Sequence, residues 1–186
     1  HTNDRRQRQM CIRDRYKLSK ENKFTYTGKD LPFASKIQIL NKYKSYLMFK
    51  KNFWIKKDDV KPINHKIKNF IYIVNLFRNV KYKWGGKTFK GIDCSGLVQI
   101  IYNYNNKFFP RDTIDQIKFK KGLKSKKKFK KGDIVFWKGH VGICLNSTKF
   151  IHAYGPRKKV LIMPINHTIK LIEKTAGLKV KKIFSI

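Results

Sequence analysis

One cysteine in this chain has neighbours that a structural core thiol rarely has. In Gly91-Ile92-Asp93-Cys94-Ser95-Gly96-Leu97-Val98-Gln99, Cys94 stands between a carboxylate and a hydroxyl, shortly after Tyr82 and Trp84-Gly85-Gly86. Apolar residues then recur at Leu97, Val98, Ile101 and Tyr104, the spacing of one helix face. Cys94 is therefore expected at or near a helix N-terminus. A thiol there feels the positive end of the helix dipole, which favours the nucleophilic thiolate. Burial in a core is the commoner fate of a free cysteine. The polar flanks and the glycine-rich turn argue against it here. A lone cysteine without a base is still an incomplete catalyst.

Base candidates lie downstream. Gly132-Asp133-Ile134-Val135-Phe136-Trp137 reads as a turn and a strand, Gly139 to Leu145 as a second strand, and Phe150 to Tyr154 as a third. Asn146-Ser147-Thr148 is turn chemistry between the last two. If those three residues are the loop, Leu145 pairs with Lys149 and Gly142 with His152. His140 and His152 then become diagonal neighbours on one face. That suits a relay in which His140 takes the Cys94 proton and His152 orients His140. A one-residue slip would put the two histidines on opposite faces. His65 and His167 read as ordinary surface or hydrogen-bonded residues. Cys94, His140, Cys144 and His152 are also the set from which a zinc site would have to be drawn. Their spacing lacks a Cys-x-x-Cys knuckle or a His-Glu-x-x-His helix.

Taken together, these blocks resemble the NlpC/P60 family of papain-like cysteine peptidases, which cut bacterial cell-wall peptides. The resemblance is carried by Tyr82-Lys83-Trp84-Gly85-Gly86, Gly91 through Gln99, Pro110-Arg111-Asp112-Thr113 with Gln116, Gly132 through Phe136, His140-Val141-Gly142-Ile143 and Ile151-His152-Ala153. It runs from about Asn64 to the C-terminus. It implies Cys94 as nucleophile, His140 as general base and then acid, and His152 as the orienting residue. It implies Tyr82 as support of the oxyanion site beside the Cys94 backbone N–H. Asp93 and Ser95 match positions that bind the free amine of an N-terminal L-alanine. The implied reaction is hydrolysis of the bond between D-glutamate's side-chain carboxyl and a diamino acid of a murein peptide. It proceeds through a thioester, with no metal and no cofactor. The implied fold class is α+β, a nucleophile helix packed on an antiparallel sheet.

The residues agree with that outline. Ile67, Phe70, Ile71, Val74 and Phe77 make an amphipathic helix. The segment from Ile134 to Ile165 is mostly strands. Ile172 through Phe184 is too weakly patterned to assign, with a final strand the natural reading. Upstream, Ala34 to Leu40 alternates as a half-buried strand does. Tyr46-Leu47-Met48-Phe49, Asn52-Phe53-Trp54-Ile55 and the turn Asp58-Asp59 follow. This is similar to the end of a bacterial SH3-like barrel, although short for a whole one. The expected division is residues 1–15, 16–63 (SH3-like) and 64–186 (peptidase).

Residues 1–15 stand apart. They hold five of the eight arginines and no lysine, in a chain with 37 lysines, and begin at His1. A non-native or mis-assembled segment is the reading, and Cys11 within it receives no role.

The net charge is +34, from 45 basic and 11 acidic residues. Lys118 to Lys131 carries nine lysines with Phe119 and Phe129 interleaved. A basic, aromatic stretch of that kind could hold single-stranded nucleic acid. The charge is lysine spread along the whole chain, whereas sequence readers lean on arginine. The expectation is therefore a solvated loop, with weak affinity for anionic polymers and no specific nucleic acid. Three cysteines give no disulfide framework, and no stretch suits a membrane span. The Asp-Cys-Ser centre behind a barrel favours the cytoplasm over the periplasm. The competing functions are a thiol amidase or acyltransferase on another acyl group and a non-catalytic polyanion-binding protein.

Overall fold

The computed structural model describes residues 6–9, 13–19 and 21–186. The reading of 1–15 as a foreign segment falls partly outside these residues, Cys11 included. Within it, 6–9 and 13–15 are strand residues. The described chain forms two compact units that divide between Lys66 and Ile67.

Among its described residues, the first unit is built of strands with one 3-10 turn. Strands β1 (Arg6–Gln9), β4 (Lys36–Gln38) and β8 (Val60–Pro62) form one sheet in the order β4-β1-β8. Strands β2 (Arg13–Leu18), β3 (Phe24–Leu31), β5 (Asn41–Tyr43), β6 (Tyr46–Lys50) and β7 (Phe53–Lys56) form a second, β3-β2-β7-β6-β5. Ile37, Ile39, Leu47, Ile55 and Val60 are buried together as its core. They are the inward members of the alternation, as period-2 strands require.

The second unit is α+β. Helix α1 (Phe70–Leu76) precedes the short hairpin β9 (Lys87–Thr88) and β10 (Gly91–Ile92). Helices α2 (Cys94–Tyr104) and α3 (Thr113–Gln116) follow. Strands β11 (Asp133–Trp137), β12 (His140–Cys144), β13 (Lys149–Tyr154) and β14 (Lys159–Pro164) lead to helix α4 (Ile165–Ala176) and strand β15 (Lys182–Ser185). The sheet is antiparallel, in the order β14-β13-β12-β11-β15, and α2 packs against β12 and β13.

Two boundaries differ from the sequence expectation. Helix α1 starts at Phe70, not Ile67. Asn69 caps it by accepting from Ile71 N, while Ile67 N donates to Asn105 Oδ1 at 2.9 Å. Helix α4 occupies ground left unassigned. Ile165, Thr168 and Ile172 give it a buried stripe, and Gly177 at φ +64° ends it in the left-handed region. The final strand follows as β15.

The lysine-rich segment from Lys118 to Lys131 is a loop pinned at its base. Buried Asp133 accepts from Lys126 Nζ at 2.6 Å, Lys130 N at 2.9 Å and Ser185 Oγ at 2.6 Å. Phe119 packs edge-on against Phe109, and Phe129 packs on the core beside Trp137 and Ile183. Both aromatics take part in packing, and Phe119 keeps 36% of its surface exposed.

Candidate active site

Cys94 is the first residue of α2, and Asp93 is its N-cap. Asp93 Oδ1 accepts from Gly96 N at 2.7 Å, closing the first helical turn. Gly96 has to be glycine. A Cβ there would lie 2.7 Å from the Gly86 carbonyl oxygen and 2.9 Å from Asp93 Oδ1. The backbone N–H of Cys94 belongs to that first turn, which has no intrahelical acceptor, so it points out as a donor.

Asp93 is heavily engaged. Arg111 forms a two-pronged pair with it, Nη1 to Oδ1 at 3.0 Å and Nη2 to Oδ2 at 2.7 Å. Gly85 N donates to Oδ2 at 2.8 Å and Ser95 Oγ to Oδ1 at 3.2 Å. Arg111 Nη1 also donates to Ser95 Oγ at 2.8 Å, and Nη2 to the Gly86 carbonyl at 3.2 Å. Gln116 Nε2 donates to the carbonyls of Ser95 and Pro110, both at 2.9 Å. In the sequence, Arg111 and Gln116 stand out only as part of a block. Nothing in the local sequence says that Arg111 closes on a carboxylate 18 residues earlier; that is a product of the fold.

The base side lies on the sheet. The pairs Ile143–Ile151 and Cys144–Phe150 extend to place Gly142 opposite His152, the register expected from a three-residue loop. His140 Nε2 and His152 Nδ1 lie 2.9 Å apart. Gly142 makes room for this. A Cβ on it would meet Phe150 Cζ at 2.3 Å and His152 Cβ at 2.8 Å. Tyr154 stacks on His152 at 4.8 Å, and the other ring nitrogen of His152, Nε2, is buried without a hydrogen-bond partner. Because Nε2 of His140 is committed to His152, Nδ1 is the nitrogen left to serve a thiol. The Gly139 carbonyl, immediately before His140, lies 4.0 Å from Cys94 Sγ.

Burial sets the protonation states. It pushes the Cys94 thiol up, with the Asp93 charge adding to the effect, against lowering hydrogen bonds from the Val141 and Ser95 backbone and the Thr113 side chain. Burial thus opposes the thiolate that the helix end favours. Burial also holds His140 and His152 well below the usual imidazole range, and His140 lowers His152 further. Burial, with the nearby Cys94 and Asp93, raises the Tyr82 phenol. Cys144 is a second free thiol, fully buried in the sheet core and pushed up to about 12 by burial. Among the described residues, no group of three or more His, Cys, Asp or Glu side chains could hold a metal ion.

Cys94 and His140 each line one of two pockets, a smaller and a larger arm, whose linings share Tyr82 and Gly139. The smaller arm, about 230 Å3, is lined by Trp84, Asp93, Cys94, Ser95, Asp112, Thr113 and Ile114. Trp84 and Ile114 stand well exposed there, at 80% and 68%. The larger arm, about 680 Å3, runs from His140 past Tyr154 and Arg157 to Leu171 and Ile172 of α4.

The NlpC/P60 family profile matches residues 79–175, which spans Tyr82, the Cys94 helix and both histidine strands. The chain belongs to the NlpC/P60 family. This NlpC/P60 chain is 28% identical over 171 residues to a γ-D-glutamyl-L-lysine dipeptidyl-peptidase of Bacillus subtilis, covering 82% of the chain and 57% of the relative. It is 36% identical over 85 residues to the murein DD-endopeptidase/murein LD-carboxypeptidase MepS of Escherichia coli, covering 41% and 44%. The crystal structure of an NlpC/P60 family protein from Bacillus cereus superposes with a TM-score of 0.76 at 21% identity, covering 97% of this chain and 63% of that one. The chain thus spans about half the length of the curated relatives it matches. No helix among its described residues is long and apolar enough to cross a membrane.

Proposed function

We propose that this chain is a cysteine peptidase that hydrolyses the bond between the D-glutamate side-chain carboxyl and the diamino acid of murein peptides. The observations that carry this reading are the His140–His152 contact at 2.9 Å and a cysteine at the first position of a helix whose Sγ lies 4.0 Å from the carbonyl of Gly139, the residue before His140. The family, and the names of the relatives, supply the substrate class.

The chemistry follows from a cysteine at a helix N-terminus and a paired imidazole on the sheet. His140 Nδ1 takes the thiol proton as Sγ attacks the carbonyl carbon, and the new C–S bond leaves an oxyanion. The Cys94 N–H and the Tyr82 hydroxyl are the donors for that oxygen. His140, now charged, keeps its Nε2–H on His152 Nδ1 and gives its other proton to the leaving amine. The C–N bond breaks, a thioester remains, and water hydrolyses it by the same proton route in reverse. His152 must carry its own hydrogen on Nε2 throughout, so it acts only as an acceptor toward His140.

The expected amine clamp needs one adjustment. Both oxygens of Asp93 and the hydroxyl of Ser95 are taken up by Arg111 and the helix cap. Asp93 and Ser95 then serve first to position the nucleophile. Asp112 is exposed in the same arm, its carbonyl oxygen accepts from Asp115 N and Gln116 N, and its carboxylate is the one left to face a substrate ammonium. We assign the first unit an SH3-like fold, on the strength of its two small sheets and the Trp54 strand.

Mass spectrometry of L-Ala-γ-D-Glu-diaminopimelate incubated with wild type and Cys94→Ala tests the proposal. Release of L-Ala-D-Glu by wild type only is expected. Intact peptide after incubation with folded wild type would overturn it.

A further inference from the structure

A surface of the second unit outside both pockets combines exposed apolar side chains with lysines. Phe108 and Phe109 are neighbours in the connection after α2, yet Phe109 is buried while Phe108 is left 76% exposed. The Phe108 ring lies 6.2 Å from that of the partly exposed Phe119. Leu123 follows at 59% exposed. Strand β15 places the last two. The Ile117 carbonyl accepts from Lys182 Nζ at 2.8 Å, and Leu123 N donates to the Ile183 carbonyl at 2.9 Å. Residues 118–122 are therefore a short bow held at both ends on one strand. Gly122 permits the return, because a Cβ there would clash with the Ile183 carbonyl. The bow carries Lys118, Lys120 and Lys121, all exposed, with Lys107 beside Phe108 and Lys124 after Leu123. No acidic residue lies between Asp115 and Asp133, and Asp133 is buried and paired with Lys126. In a chain with 37 lysines the cations are unremarkable by themselves. Composition does not explain the large apolar side chains left in water among them, since folding gains from burying such groups.

We propose that this surface docks on an anionic lipid bilayer. Phe108, Phe119 and Leu123 enter the boundary between headgroups and acyl chains, and the lysines face the anionic headgroups. Two observations favour a bilayer over a nucleic-acid strand. Leucine has no ring to stack on a base, and the Phe119 ring already packs edge-on against Phe109 and Tyr102. The cations are also all lysine, with no arginine between Arg111 and Arg157 to fork onto a single phosphate. Lysines act as point charges, and at a charged membrane surface their number is what counts. The proposal does not depend on the peptidase reading.

Sedimentation of the full chain with lipid vesicles tests it. Wild type should bind vesicles of phosphatidylcholine with about 30% phosphatidylglycerol, and bind pure phosphatidylcholine about a hundredfold more weakly. Phe108→Ser/Leu123→Ser keeps every charge and should bind the anionic vesicles about tenfold more weakly than wild type. Lys118→Gln/Lys120→Gln/Lys121→Gln should lose about a hundredfold. All five positions are exposed, so these variants should unfold in urea as wild type does. Phe108→Trp gives a readout that needs no loss of binding. Relative to wild type, its added emission should shift to the blue on anionic vesicles and be quenched by brominated lipid. Failure of wild type to bind the anionic vesicles, equal binding by Phe108→Ser/Leu123→Ser, or emission from Phe108→Trp that vesicles leave unmoved would each overturn the proposal. A loss by Phe108→Ser/Leu123→Ser on a single-stranded oligonucleotide as large as its loss on vesicles would overturn the choice of a bilayer.

Discussion

The nucleophile side and the base side of this site are built to different standards. Asp93 accepts from five donors (Gly85, Ser95, Gly96 and both prongs of Arg111), and Arg111 extends the network to Ser95 and Gly86. The ring of His152, equally buried, makes one hydrogen bond among the described residues, to His140, and leaves Nε2 without a partner. The contrast teaches where rigidity is needed. Cys94 must present its thiol and its N–H at fixed positions, so its helix end is over-determined. His152 needs only to offer one lone pair, and packing under Tyr154 holds it well enough.

The largest effects should come from removing the reacting groups. Cys94→Ala and His140→Ala should each lower kcat/KM by about three orders of magnitude or more, read by product release from the tripeptide. Breaking the over-determined side comes next. Arg111→Met leaves Asp93 buried without its cation and should destabilise the protein by about 3 kcal/mol, read by urea unfolding. Activity should fall with it, by about a hundredfold, because the oxyanion N–H shares that helix end.

The softer side should be more forgiving. His152→Asn keeps an acceptor near the Nδ1 position and removes the orphan nitrogen. It should cost about tenfold in kcat/KM, while His152→Ala should cost about a hundredfold. The smallest effect is on stability against pH. Both imidazoles are held neutral in the fold, so below an ordinary imidazole value of 6.5 the unfolded chain binds more protons than the folded one. Stability from this pair is therefore full above about pH 6.5 and lost as pH falls. The drop in Tm between pH 7 and pH 5 should be a few degrees, and smaller in His152→Asn. The acid limb of kcat/KM should likewise lie below the ordinary imidazole range.

Legibility followed the range of the forces. The helix end at Cys94 and the strand register are local, and Asn146-Ser147-Thr148 with two alternating strands was enough to bring the histidines together. Helix α4 was not legible. It begins directly at the end of a strand, without a side-chain cap, and Asn166, His167, Lys170, Glu173 and Lys174 thin its apolar pattern to a narrow stripe. Arg111 and Asp112 were visible as a motif but not as opposite members of one site, since only the fold shows which of two carboxylates the arginine occupies. The raised thiol was missed for the same reason: a helix dipole can be inferred from sequence, while desolvation depends on what packs around it.

The most direct test is to acid-quench the protein during turnover of L-Ala-γ-D-Glu-diaminopimelate, digest it and locate the adduct by mass spectrometry. A dipeptidyl thioester on the Cys94 peptide, absent from Cys94→Ala, is the predicted result. Release of L-Ala-D-Glu that persists in Cys94→Ala with no adduct on that peptide would contradict the account.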